Sequence, residues 1–230
     1  MQEQLLWLCC MPTAVYIICS PRPRVGKTLL ARLLTEYLTA SRGEVLAFDL
    51  SSNEPSLLDF LPKQTETAQV RDTFGQMQLM DRLIVDDGVP KVLDVDARDF
   101  DTFFKLFQEI GFVKEAARQG VAPIVLFVLD QDFSSSRAYA MLERAIPPGA
   151  LVPVNNEGVL YGEVPSWVRA GRMIEMKLLP DFLKGYIGKA TFSFNAFARN
   201  KSNSSSELYD WIRRLFLNFR EIELGLMLRS

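Results

Sequence analysis

Gly26, Lys27 and Thr28 form the tripeptide with the most chemical content in this sequence. A glycine lets a backbone approach an anion, a lysine supplies a point charge for phosphate oxygens, and an adjacent hydroxyl suits a magnesium ion. At the head of a helix the three make the end of a phosphate-cradling loop. The surroundings fit: the apolar run Ala14 to Cys19 precedes the loop, and Leu29, Leu30, Leu33, Leu34, Tyr37 and Leu38 follow at helical spacing up to Gly43. The competing reading is an ordinary strand–helix turn with an exposed lysine. The front of the loop departs from the general pattern GxxxxGKS/T, because Pro21 takes the first position and Pro23 and Arg24 stand where glycines are common. Prolines remove N–H donors, so phosphate has to be held by the amides of Val25 to Thr28, with Arg22 and Arg24 compensating electrostatically. Such a loop can dispense with glycine wherever φ stays negative.

A second group of oxygen donors lies downstream. Pro90 to Leu93 leads into Asp94, a strand-end carboxylate suited to the octahedral shell of magnesium through water, with Asp96 as the neighbouring alternative. Other chemistries are narrowed by composition. With no histidine, and with Cys9, Cys10 and Cys19 as the only thiols, His-based catalysis and a zinc or disulfide framework are excluded. A net charge of −2 and a pI near 5.4 argue against nucleic-acid binding by bulk electrostatics. The few thiols fit a reducing compartment. Met1 to Cys10 lacks the basic region and the length of a signal peptide or membrane span. A cytoplasmic protein is expected.

These groups must be positioned by alternating strands and helices. Ala14–Cys19, Glu44–Leu50, Val89–Val95, Ala122–Leu129 and Leu151–Val154 read as buried strands, and Met173–Leu179 as an edge strand ended by Pro180. Helices are expected after the phosphate loop, around Phe100, Phe103, Phe104 and Phe107, over Ser134–Arg144 and over Ser206–Leu228. Residues 51–88, with Pro55, Pro62 and a polar stretch, read as irregular. The fold class is α/β, with a predominantly parallel central sheet flanked by helices, in one domain over residues 11–230. Residues 1–10 read as an N-terminal extension or a misassigned start. The last helix aligns Leu208, Trp211, Ile212, Leu215, Phe216, Phe219 and Ile222 on one side, which favours core packing over a membrane surface.

The stretch SPRPRVGKTLLARLLTEYL resembles the deviant Walker A loop, KGGxGKS/T, of the ParA/MinD family of partitioning and positioning ATPases. The resemblance implies a P-loop NTPase domain with ATP and Mg2+ as cofactors, the nucleotide being contacted by Arg22, Pro23, Arg24, Val25, Gly26, Lys27, Thr28 and Leu29. It puts Arg22 at the signature-lysine position, which in that family reaches across a homodimer to the partner's phosphates. Asp49 then matches the first carboxylate of a DxD pair and joins Thr28 and Asp94 around the metal. The second carboxylate falls on Ser51, so hydrolysis is expected to be slow, absent, or served by another group such as Glu54. Lys27, Arg22 and Asp49 are the implied catalytic residues. Asn155 and Asn156 match an adenine-binding asparagine, and Pro180 to Phe182 would pack near the base. The implied activity is a weak ATPase that switches by dimerising and positions or partitions a cargo through an unidentified partner; contact with DNA or membrane is not indicated. A nucleotide-binding regulator without turnover, or an ATP-dependent ligase or small-molecule kinase on the same fold, are the alternatives. The absence of an NKxD sequence favours adenine over guanine.

Overall fold

Apolar side chains on both faces of a strand require a helix layer on each side, and the first strand, β1 (Thr13–Cys19), has that character from Val15 onward. The computed structural model describes residues 12–51, 56–168 and 171–227. β1 leads through the loop 20–26 into α1 (Lys27–Arg42), followed by β2 (Leu46–Asp49), α2 (Leu57–Phe60), β3 (Thr65–Thr67) and α3 (Thr73–Leu83). Then come β4 (Lys91–Asp94), α4 (Phe100–Glu109), α5 (Phe112–Arg118), β5 (Val121–Val128), α6 (Phe133–Ala145), β6 (Leu151–Asn156) and β7 (Ile174–Met176). α7 (Asp181–Ile187), α8 (Phe194–Arg199) and α9 (Glu207–Met227) complete the described chain.

The strands form one seven-stranded sheet in the order β3-β2-β4-β1-β5-β6-β7, and every pairing is parallel. Parallel neighbours need crossovers, and crossovers of one hand must use opposite faces of the sheet when they run in opposite directions. The packing obeys this. α1 and Leu57 of α2, on the way outward to β2 and β3, pack on the face lined by Tyr16, Ile18, Leu126 and Val154. α3, α4, α5 and α6, on connections running the other way, pack on the face lined by Val15, Ile17, Val125 and Phe127. α8 and α9 return to the α1 face.

Several boundaries differ from the sequence reading. β4 begins at Lys91 rather than Val89, because the buried Lys91 ammonium donates to the carbonyls of Val85 (2.8 Å) and Val89 (3.2 Å) and to Asp87 (2.6 Å), holding residues 85–90 as a loop. The supposedly irregular 51–88 contains β3 and the eleven-residue α3, which Asp72 caps by accepting from the Gly75 N–H at 2.8 Å. α3 buries only Gly75, Leu79, Met80 and Leu83, so its periodicity is faint in the sequence. β6 extends through Asn156, and β7 is limited to Ile174–Met176. Pro180 does end the preceding extended segment, but it also opens α7, which together with α8 was absent from the sequence reading. Residues 1–10 lie outside the described residues.

α9 packs its apolar stripe on α1, with Leu208, Trp211, Ile212, Leu215, Phe219, Ile222 and Leu226 buried and Phe216 against Tyr37. This is the expected core role for the last helix. Among the described residues no helix is long and apolar enough to cross a membrane.

α1 is also clamped on its flank. Arg32 is buried, 3.4 Å from Glu36 one turn on, and donates to the carbonyls of Ile187 and Phe192 while its guanidinium lies over Phe60 and Phe194. Glu36 in turn accepts from the Ser193 hydroxyl (2.6 Å) and the Asn195 N–H (3.0 Å). Breaking a buried pair by removing one partner leaves an uncompensated charge. Arg32→Ala is therefore expected to lower unfolding stability by about 3–5 kcal/mol, measured by urea denaturation.

Candidate functional site

The loop after β1 and its neighbours sit where ligands bind in open parallel sheets. β1 sends its helix to one face while the adjacent β4 and β5 send theirs to the other, so the carboxyl end of β1 lies between diverging connections. Asp49 and Asp94 end their strands in direct register, and Asp94 is also paired with Ile18 of β1. Asn156 ends β6, two strands away on the other side.

The loop 20–26 closes without the usual glycines. Arg24 adopts φ 61°, the one non-glycine in the left-handed region among the described residues, and Gly26 has φ 96°. Negative φ throughout, the condition under which glycine could be dispensed with, does not hold: Arg24 takes a conformation that costs an L-residue about 1–2 kcal/mol. Side chains stabilise it. The Lys27 ammonium donates to the Arg22 carbonyl at 2.8 Å, and the Asn156 amide donates to the Val25 carbonyl at 2.9 Å. The Asn156 oxygen accepts from the Gly158 N–H at 3.0 Å, so one side chain ties the loop to the turn after β6. At Gly26 a Cβ would lie 2.5 Å from Asn156 Nδ2.

Thr28 and Asp94, 66 residues apart, meet directly: the Thr28 hydroxyl donates to Asp94 Oδ2 at 2.7 Å. Burial, aided by the nearby Asp49 and opposed by the Thr28 hydrogen bond, pushes the Asp94 carboxyl up to about 7. Lys27 is 8% exposed; burial lowers its pKa, while Asp94, Asp96 and Asp130 pull it the other way. Asp49 is fully turned inward, Oδ1 accepting from the Ser51 N–H (2.8 Å) and Oδ2 from the Leu58 N–H (3.0 Å). It thus spans the base of the loop that carries Ser51, while Glu54 falls outside the described residues. Asp96 bonds its own loop, accepting from the Arg98 N–H (2.8 Å) and guanidinium (3.2 Å), which leaves Asp94 as the carboxylate joined to Thr28.

The remaining sequence candidates are spread around this centre. Arg22, Pro23 and Arg24 are exposed, Val25 is buried, and Leu29 is half-buried against the α1-side core. Asn155 is buried on β6 with its side-chain oxygen lacking a hydrogen-bond partner among the described residues. Pro180 is half-buried and Phe182 is 73% exposed. Two residues not singled out from the sequence belong here. Asp130, just after β5, accepts from the Asp132 N–H at 2.7 Å and the Ser135 hydroxyl at 2.6 Å. Asp132 caps α6 and pairs with Arg22 at 3.3 Å. Their signal was the carboxylate pair directly after the strongest apolar strand, the same pattern that marks Asp94.

No protein-family model matches the chain, and no curated protein matches it. The fold and site define an α/β protein with a wholly parallel sheet whose polar side chains converge at the carboxyl end of the central strand.

Two outcomes test this geometry. A carboxyl with a folded pKa near 7 against an ordinary value of 3.8 contributes stability that is present below about pH 4 and lost as pH rises through 7. In metal-free buffer Asp94→Asn should therefore melt above wild type at pH 8, by on the order of 5 °C, and the gap should close towards pH 5. At the loop, Gly26→Ala should cost about 2 kcal/mol in chemical denaturation, whereas Arg24→Gly should cost nothing or stabilise.

Proposed function

We propose that this chain is a nucleotide switch of the ParA/MinD kind, a P-loop domain that takes Mg-ATP at the β1–α1 loop, pairs with a second copy around the nucleotide and turns it over slowly. The observation that carries the reading is the 2.7 Å hydrogen bond from Thr28 to Asp94. It joins the hydroxyl that follows a phosphate-loop lysine to a strand-end carboxylate, the two protein groups that share magnesium in P-loop enzymes. Phosphate oxygens would offer the Lys27 ammonium a stronger, charge-assisted partner than the Arg22 carbonyl it now engages.

Among the described residues no group of three or more His, Cys, Asp or Glu side chains could hold a metal alone. The donor set that is present, one hydroxyl and one carboxylate, suits magnesium, which takes few protein ligands and completes its shell with phosphate and water. Thr28 and Asp94 would hold it, with Asp49, in register beside Asp94 and itself accepting the Ser51 and Leu58 N–H groups, as the further carboxylate, and it would neutralise charge between the terminal phosphates. Lys27 orients those phosphates, and the Gly26–Thr28 amides at the α1 N-terminus supply fixed donors. The buried Asn155 oxygen is an acceptor suited to an exocyclic amine of the base.

Turnover is slow in this reading because Ser51 cannot take a proton from water as a carboxylate can, and both oxygens of Asp49 already accept backbone N–H groups. The same two observations favour, as the second reading, a nucleotide-binding regulator that does not hydrolyse. A ligase or kinase would need its own acid–base or lysine cluster for a second substrate, and the described residues give no observation favouring one.

The test is the mass of the purified protein by light scattering with no nucleotide, with Mg-ADP and with Mg-ATP, alongside phosphate release. The expected outcome is a doubled mass with Mg-ATP alone, lost in Arg22→Ala, with phosphate released more slowly than the dimer forms. Unchanged mass despite ATP binding would sink the switch, and absent phosphate release would select the regulator.

A further inference from the structure

Arg22, the residue expected to reach another molecule's phosphates, is turned onto its own chain. Its guanidinium lies 3.3 Å from Oδ2 of Asp132, with both side chains partly exposed. Asp132 is held in place independently: Oδ1 accepts from the Ser134 N–H (2.8 Å) and hydroxyl (2.7 Å) as the cap of α6. Behind it, Asp130 accepts the Asp132 N–H at 2.7 Å and is itself fixed by Ser135 at 2.6 Å. The acceptor is thus set by α6, whereas the Arg22 side chain projects from the exposed part of the loop. The main chain of Arg22 is held as well, through the bond from Lys27 to its carbonyl.

We propose that Asp132 is a positioning residue that parks Arg22 on α6 until a γ-phosphate draws it away, so that this ion pair sets the nucleotide concentration at which the switch responds. The inference rests on the proposed nucleotide site. A phosphate offers a guanidinium two parallel charge-assisted bonds, whereas Asp132 gives it one oxygen and spends the other on the cap. A partly exposed ion pair is weak, so it moves a threshold rather than blocking the site. A diphosphate lacks the competing group, so the pair discriminates between the two nucleotide states.

The experiment compares wild type, Asp132→Asn, Arg22→Ala and the double variant, titrated with Mg-ADP and with a slowly hydrolysed Mg-ATP analogue by calorimetry and light scattering. Asparagine still caps α6, so the fold is retained. The expected result is that Asp132→Asn lowers the half-saturating concentration of the triphosphate about two- to fivefold, leaves ADP binding unchanged, and has no such effect in the Arg22→Ala background. A variant indistinguishable from wild type, an equal shift for ADP, or a shift that persists without Arg22 would each overturn the proposal. Should wild type bind the triphosphate without a change in mass, the dimer reading fails while the affinity comparison still decides the role of Asp132. A wild-type chain that binds neither nucleotide overturns both.

Discussion

The constraint on which the molecule depends is the single hand of its crossovers around β1. Because β1 sends α1 to one face while β4 and β5 send their helices to the other, the connections part above the carboxyl end of the central strand. The strand ends around it bear Asp49, Asp94 and Asn156, with Asp130 just beyond β5, each held by hydrogen bonds to a neighbouring loop or helix. The two apolar cores below make this arrangement rigid, with α1 packed against α9 and clamped at Arg32.

The loop 20–26 is shaped with Gly26 as its one glycine: Pro21 and Pro23 restrict the backbone, and Arg24 takes φ 61° with side-chain support. The Lys27 and Asn156 bonds to loop carbonyls supply that support. A loop so constrained has less entropy to lose on meeting a ligand, and Asn156 ties it to the turn after β6.

Much of the fold was legible because both faces of the central strands are buried, which writes continuous apolar runs such as VAPIVLFV into the sequence. The loop and α1 were legible for a related reason, since Lys27 and Thr28 open a helix with a clear apolar stripe. What could not be read depends on contacts far apart in the chain. α3 buries few residues, and the turns of α7 and α8 are ordered by Arg32 and Glu36 from another helix. The Asn156 amide braces Val25, a contact no spacing rule reveals across 131 residues. The Arg22–Asp132 pair was equally invisible, although LDQD after β5 carried a strand-end signal as strong as the one that marked Asp94.

The most direct measurement is a calorimetric titration of Mg-ATP into the wild-type chain and into Lys27→Ala at pH 8, where Asp94 is ionised. One saturable site per chain is expected in wild type, with affinity lowered at least about a hundredfold in the variant through loss of a buried charge–phosphate contact. Equal affinity in the two proteins, or no binding to wild type, would contradict that expectation.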